Sequence, residues 1–301
     1  MRFLISFLLL PLFVLGCAQS AKLDVISPEA LVENETDDAA EFRHEDLDAV
    51  LWVQTSGEYQ AIARQTYRMA AIVLDVALED RTWTASMEQE EMAEKGEINF
   101  AILPPAVILD VDETVLDNSK YQVQLIESQE EFSTESWTKF CESKVSTAVP
   151  GAVEFVETCR EKGIRVFFLT NREHSVESST RENLVSVGLL NPSSQEDNIL
   201  TKHEKTDWKS DKETRRSELA KKYRILQLIG DDLHDFASTG HQPMPEERQK
   251  FASDHFRHWG TKWIVLPNPN YGGWERAVHG WNDKAESRIK LELKRQRLGG
   301  S

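Results

Sequence analysis

Four stretches of this chain carry residues whose types and spacing can do chemistry. The first is DVDETVLDNS, with Asp110 and Asp112 two residues apart. Carboxylates held that close repel each other unless a cation or a proton lies between them, so the pair points to a metal site or to a nucleophile beside an acid. Alone, the pair is no better explained that way than as an acidic turn. The second is FFLTNR, in which the Thr170 hydroxyl and the Asn171 amide can donate to phosphate oxygens, though either would also cap a helix. The third is LIGDDLHDF, where Gly230 allows close backbone approach and Asp231, Asp232 and Asp235 follow. Carboxylates four apart, as Asp231 and Asp235 are, face one way on a helical turn and offer the hard oxygens that suit Mg²⁺. The fourth is Lys212, just before a helical pattern, which can act as a point charge for phosphate or simply as a solvated surface residue.

The elements that must position these residues are legible around them. Ala106–Leu109, Arg165–Leu169, Ile225–Ile229 and Trp263–Leu266 are continuous apolar runs of the kind found in strands buried on both faces of a parallel sheet. Helical patterns lie between them: Gly151–Glu161 before Gly163, Val176–Val187 before Gly188, and Thr214–Tyr223. Upstream, Trp52, Tyr59, Ile62, Tyr67, Met69, Ile72, Val73 and Val76 recur at helical spacing over two helices, the second spanning Glu58–Leu78, and a charged helix covers Ser86–Gly96. This alternation predicts an α/β fold: an open, mostly parallel, Rossmann-like sheet with helices on both faces and a small helical cap drawn partly from the N-terminal helices. In such sheets ligands bind outside the carboxyl ends of the strands, where three of the four clusters fall.

Charge and composition narrow the function. The chain has 301 residues and a formal net charge of −16, which disfavours nucleic acid polymers and leaves a small anion dependent on a local metal ion or basic side chain. Residues 1–16 read as a signal peptide: Arg2 precedes a run too short to span a membrane, ending in VLGC. That ending resembles a bacterial lipoprotein box with Cys17 as the lipidated residue, and Ala18 after it favours the outer membrane by analogy with lipoprotein sorting. Residues 17–45 form an acidic tether, 46–290 the folded domain and 291–301 a tail. Cys141 and Cys159 remain, either as a bridge or as buried thiols, and no zinc-type spacing is present.

Taken together, the order DxDxT, TN, lysine, GDDxxxD resembles the four signatures of the haloacid-dehalogenase superfamily. More narrowly, DVDETVLDNS, SWTKF, AVPGAVEF, FLTNR, GDDLHDF and LPNPNYGGWE look like the class C acid phosphatases, a group that includes outer-membrane lipoprotein nucleotidases. The likeness runs from Asp46 to Trp281, with Asp232 standing where Asn is frequent. It implies a phosphomonoesterase working through an aspartyl-phosphate. Asp110 would be the nucleophile and Asp112 the acid and base; Thr170, Asn171 and Lys212 would bind the phosphoryl group. One Mg²⁺ would be held by Asp110, Asp112, Asp231 and Asp235, with Asp112 contributing its backbone carbonyl. Trp137 and Tyr271 match positions that sandwich a substrate ring, implying 5′-nucleoside monophosphates, nicotinamide mononucleotide among them. The expected partners are a small phosphomonoester and the lipid anchor, with a homodimer left open. Because Asp112 must carry a proton in the first step and an ordinary aspartate titrates near pH ~3.9, activity is expected to peak in acid or Asp112 to be raised by its neighbours. Hydrolysis or transfer of sugar phosphates, and a non-catalytic nucleotide-binding lipoprotein, are the alternatives.

Overall fold

The structure, a computed structural model, describes residues 46–193 and 196–298. The signal peptide, Cys17 and the tether therefore lie outside the described residues. No helix among the described residues is long and apolar enough to cross a membrane.

Three helices lead in: α1 (Leu47–Thr55), α2 (Gly57–Glu79), whose first turn is capped by the Ser56 hydroxyl, and α3 (Met87–Glu94). The first strand, β1, is Pro105–Leu109. A two-residue strand β2 (Leu116–Asp117), helices α4 (Ser119–Ser128) and α5 (Thr134–Ser143), and β3 (Thr147–Ala148) follow, with β2 and β3 pairing antiparallel. The chain continues through α6 (Ala152–Glu161), β4 (Arg165–Glu173), α7 (Glu177–Ser186) and β5 (Ile199–Lys202). It closes with α8 (Glu213–Ala220), β6 (Arg224–Gly230), α9 (Pro245–Asp254), β7 (Trp263–Val265), α10 (Gly273–Val278) and α11 (Ser287–Arg297).

The main sheet has five strands in the order β5-β4-β1-β6-β7, all parallel. The period-2 alternation of the pleat assigns each residue to a face. Val107 and Leu109 of β1 enter a core with Tyr67 and Leu74 of α2 and Phe155 and Val156 of α6. Ala106 and Ile108 face the opposite core, with Leu219 of α8, Trp263 of β7, Phe236 and Trp208. That two-sided burial is why β1 reads as an unbroken apolar run. A third, small cluster of Tyr121 and Leu125 from α4 and Phe140 from α5, with Trp137 packed on it, forms the core of the helical cap. Helix α1 packs against α4, and Gln54 donates to Ser119, so an N-terminal helix does join that cap.

Three features depart from the sequence reading. Strand β5 went unseen because its apolar part is only Ile199 and Leu200 at a sheet edge. Helices α4 and α5 were likewise unmarked. On α2 the buried stripe is Tyr59, Ala63, Tyr67, Ala70, Leu74 and Ala77, while Met69, Ile72 and Val76 are exposed. Tyr59 and Tyr67, both marked by the sequence pattern, do lie on that stripe, whose other positions are mainly alanines, so the larger aliphatic residues were the wrong guide to the face.

Candidate active site

Three of the polar clusters sit at the carboxyl ends of parallel strands, and Lys212 stands at the start of α8. Asp110 follows β1 directly, and its N–H donates to the Ile229 carbonyl of β6, which ties the end of β1 to the neighbouring strand. The chain then turns sharply. Glu113 takes a left-handed φ of 57°, and Leu116 N–H donates back to the Val111 carbonyl at 2.8 Å. Strand β4 delivers Thr170 and Asn171, and β6 ends at Gly230 so that Asp231 and a short 3₁₀ turn ending at Asp235 follow.

The carboxylates of Asp110, Asp231 and Asp235 converge, with one ligand oxygen from each lying within 4.8 Å of the others. Lys212, buried at the start of α8, donates to Asp235 Oδ1 at 2.6 Å and contacts Asp110 Oδ1. The Thr114 hydroxyl lies 3.4 Å from Asp110 Oδ2 and 3.2 Å from Asp231 Oδ1, and Asn268 Nδ2 donates to Asp231 Oδ2 at 2.8 Å. Gly230 is required here, because a side-chain carbon on it would overlap the Asp235 carboxyl.

Electrostatics fit a cation. Burial pushes Asp110 up to about 7; Lys212 opposes this, and the charges of Asp235 and Asp112 add to it. Burial and the charges of Asp110 and Asp235 raise Asp231 well above the usual carboxylate range. Lys212 is disfavoured by burial, yet Asp110 and Asp235 hold its ammonium above the ordinary value. One ammonium thus faces three carboxylates. A divalent ion would relieve the excess, and hard oxygens are the donors such an ion takes.

Asp112 is turned elsewhere. Its carboxylate accepts from Arg172 Nε and Asn118 Nδ2, each at 2.9 Å, and pairs with Arg172 Nη2 at 2.8 Å, so its side chain stands outside the acidic trio. Thr170 is fully buried, with its hydroxyl 3.4 Å from Asp112 Oδ2. The Asn171 amide is engaged: Nδ2 donates to the Ser210 carbonyl at 3.0 Å and Oδ1 accepts from Arg215 Nη2 at 2.7 Å. Trp137 packs on Tyr121 and Phe140 and carries the Arg172 guanidinium 5.5 Å from its ring centroid. Tyr271 donates its hydroxyl to Glu113 Oε2. Both aromatics thus reach the Asp112–Glu113 turn, each through one intermediary or contact.

Several residues here had no assigned role in the sequence. Arg215 and Arg216 lie on α8, three and four residues after Lys212, and like it are buried. Arg215 donates to the Thr170 carbonyl at 2.6 Å, and Arg216 to the His234 carbonyl at 2.8 Å and Glu88 Oε1 at 2.8 Å. The KxxRR spacing was the available signal. Asp232 adds no uncompensated charge: it accepts from Gly273 N–H at 2.7 Å and Arg248 Nη2 at 3.3 Å. Burial opposes its ionisation, yet His234 and Arg248 keep it well below the usual carboxylate range. Glu113 is pushed up to about 8, by burial first and then by the Asp112 charge.

A family model described as HAD superfamily, subfamily IIIB (acid phosphatase), matches residues 32–274. Among solved structures, the class C acid phosphatase from Bacillus anthracis is similar at 29% identity and a TM-score of 0.71, covering 85% of this chain and 98% of that one. The class C acid phosphatase from the same organism with tungstate bound is similar at 28% identity, with the same coverage and TM-score.

Proposed function

The chain belongs to the acid phosphatases of HAD subfamily IIIB, which are phosphomonoester hydrolases, and from that premise we propose how its site works and on what. Asp110 attacks phosphorus, forming an aspartyl-phosphate as the bond to the leaving alcohol breaks. Asp112 gives the leaving oxygen its proton, then takes one from the water that cleaves the intermediate. Thr170 and Lys212 stabilise the phosphoryl oxygens, and Asn171 contributes once its amide is freed from Ser210. Asp110, Asp231 and Asp235, with the carbonyl of Asp112, would hold Mg²⁺, which supplies the positive charge that lets an anionic ester approach an anionic nucleophile. The observation that carries the reading is the meeting of Asp110, Asp231 and Asp235 with Lys212 at the carboxyl ends of adjacent strands. Tungstate in the Bacillus anthracis relative is a tetrahedral oxyanion like phosphate, which supports the same class of ligand here.

The substrates proposed are 5′-nucleoside monophosphates, including nicotinamide mononucleotide, their rings held by Trp137 and Tyr271. Support comes from the half-buried setting of both aromatics and their contacts to the turn that carries Asp112. Membership of a phosphatase family removes the non-catalytic alternative. The VLGC segment at Cys17 supports a lipid-anchored enzyme of the bacterial envelope. Phosphate release from a panel of nucleoside monophosphates at about pH 5 to 6, with Mg²⁺ or chelator and beside Asp110→Asn, tests the reading. Metal-dependent release lost in the variant is expected; release that Asp110→Asn leaves intact would refute Asp110 as nucleophile.

A further inference from the structure

The two oxygens of Asp112 are held very differently. Oδ1 accepts hydrogen bonds from Arg172 Nε and Asn118 Nδ2, each at 2.9 Å, and Arg172 Nη2 lies 2.8 Å from it as an ion pair. Oδ2 has one long contact, with the Thr170 hydroxyl at 3.4 Å. Thr170 and Arg172 are two apart on β4, so their side chains share a face of the strand, while Asn171 between them turns to Ser210 and Arg215. One strand end therefore addresses both oxygens of the same carboxylate.

Arg172 is fixed in place. Its side chain has no solvent exposure. Nη1 donates to the Thr180 hydroxyl at 3.3 Å and Nη2 to Asn118 Oδ1 at 3.2 Å, its backbone N–H donates to Thr170 Oγ1 at 3.0 Å, and the Trp137 ring lies against the guanidinium. A fork that is planar, always charged and locked on four sides can hold a carboxylate in one orientation, which an ammonium on a flexible stem cannot do equally well.

Resting on the reading of Asp112 as acid and base, we propose that Arg172 is its positioning residue: it captures Oδ1 and leaves Oδ2, on the Thr170 side, as the oxygen through which the proton passes. In the first half-reaction the proton leaves Oδ2 for the bridging ester oxygen as the P–O bond to the alcohol breaks and the bond to Asp110 forms. The carboxylate left behind stays neutralised by the guanidinium. In the second half Oδ2 takes a proton from the water attacking phosphorus, and the bond to Asp110 breaks.

The test compares kcat/KM for two esters of similar size in Mg²⁺: 4-nitrophenyl phosphate, whose phenolate departs without a proton, and benzyl phosphate, whose alkoxide needs one. Arg172→Gln is expected to lower kcat/KM for benzyl phosphate about 100-fold and for 4-nitrophenyl phosphate less than about tenfold. Arg172→Lys should show the same ordering with smaller losses, and it carries the test if Arg172→Gln fails to fold. Equal losses on both esters would mean that Arg172 only supports the fold, and would overturn the inference. Asp112→Asn separates the two levels. If it shows the split while the Arg172 variants do not, only the positioning role fails; if it shows no split, the reading of Asp112 as the acid fails, and this inference fails with it.

Discussion

Stability should fall as pH rises in the metal-free protein, and a divalent ion should reverse the trend. Asp110 moves from an ordinary 3.8 to about 7 and Glu113 from 4.5 to about 8, and burial with the charges of Asp110 and Asp235 raises Asp231 well above the usual carboxylate range. Each of these carboxyls binds its proton more tightly folded than unfolded. Its stabilising contribution is therefore full below the unfolded pKa and is lost as pH climbs through the folded one. Between pH 5 and 8 the unfolded chain has already released these protons and the folded one must still do so. At about 1.4 kcal/mol per pH unit, Asp110 and Glu113 each withdraw on the order of 3 kcal/mol over that interval. That is large beside the roughly 5–15 kcal/mol that holds a domain folded. For a domain of this size it corresponds to upwards of about 10 °C in Tm. Carboxyls held low, such as Asp232, finish ionising below the window, and the half-buried His258, whose burial disfavours its charged form, opposes the trend as a single group. The assay is thermal unfolding in chelator and in Mg²⁺ at pH 5 and pH 8. The metal-free Tm should drop toward pH 8, and the gain from Mg²⁺ should be larger at pH 8 than at pH 5, because the ion pairs the carboxylates once they are charged. A metal-free Tm that is flat or rising from pH 5 to 8 would refute the account of this cluster as buried, mutually repelling acids.

Three further outcomes are expected. Gly230→Ala places a methyl against the Asp235 carboxyl, so the Mg²⁺ concentration for half-maximal activity should rise about 10- to 100-fold, measured by titration; an unchanged value would place Asp235 outside the metal site. Tyr271→Phe keeps the ring but strips Glu113 of its hydroxyl donor, costing about 1–3 kcal/mol in denaturant unfolding with little change in nucleotide KM, whereas Tyr271→Ala should raise that KM roughly tenfold or more. Cys141 and Cys159 are free and buried, with the Cys141 thiol pushed up to about 12 by burial, so neither should be alkylated at pH 8 until the chain is unfolded; rapid labelling of the native protein would contradict their burial.

What the sequence revealed of this molecule, and what it hid, divide along physical lines. The strand-end acids were legible because a parallel sheet forces its polar residues to the strand exits, so Asp110, Thr170 and Asp231 stand next to the apolar runs that carry them. The supporting cations were hidden. Arg172 reaches Asp112 across 60 residues, and Arg216 reaches Glu88 across 128. An arginine in a sequence is expected at the surface unless something distant pairs with it, and only the fold supplies the distant partner. Lys212, the weakest of the four motifs on paper, is one of the most enclosed charges for the same reason. Glu113 was invisible for a different cause. Its left-handed backbone points it back at the Asn118 backbone N–H and side chain and across to Tyr271, an arrangement that no spacing rule anticipates. Helix α2 shows that hydropathy ranks residues by the water they would rather avoid, while packing ranks them by the space available, and Ala70 won over Met69 on the second count.

The hidden cations also explain how so acidic a chain can handle phosphate. Arg172 is committed to Asp112, Arg248 to Asp232, Lys212 to Asp110 and Asp235, and Arg215 and Arg216 mainly to backbone carbonyls. Those five cations face seven carboxylates, Asp110, Asp112, Glu113, Asp231, Asp232, Asp235 and Glu88, the last paired with Arg216. The arginines therefore do not form an anion-binding surface; they hold acids and loop carbonyls in place at the strand ends. Attraction for a phosphate dianion is left to Lys212, which must share itself with two carboxylates, and to whatever cation those carboxylates recruit. On the proposed reading, a site built this way should bind phosphate weakly without a metal ion and should gain substrate affinity and Asp110 ionisation together when the ion binds, because the same charge drives both.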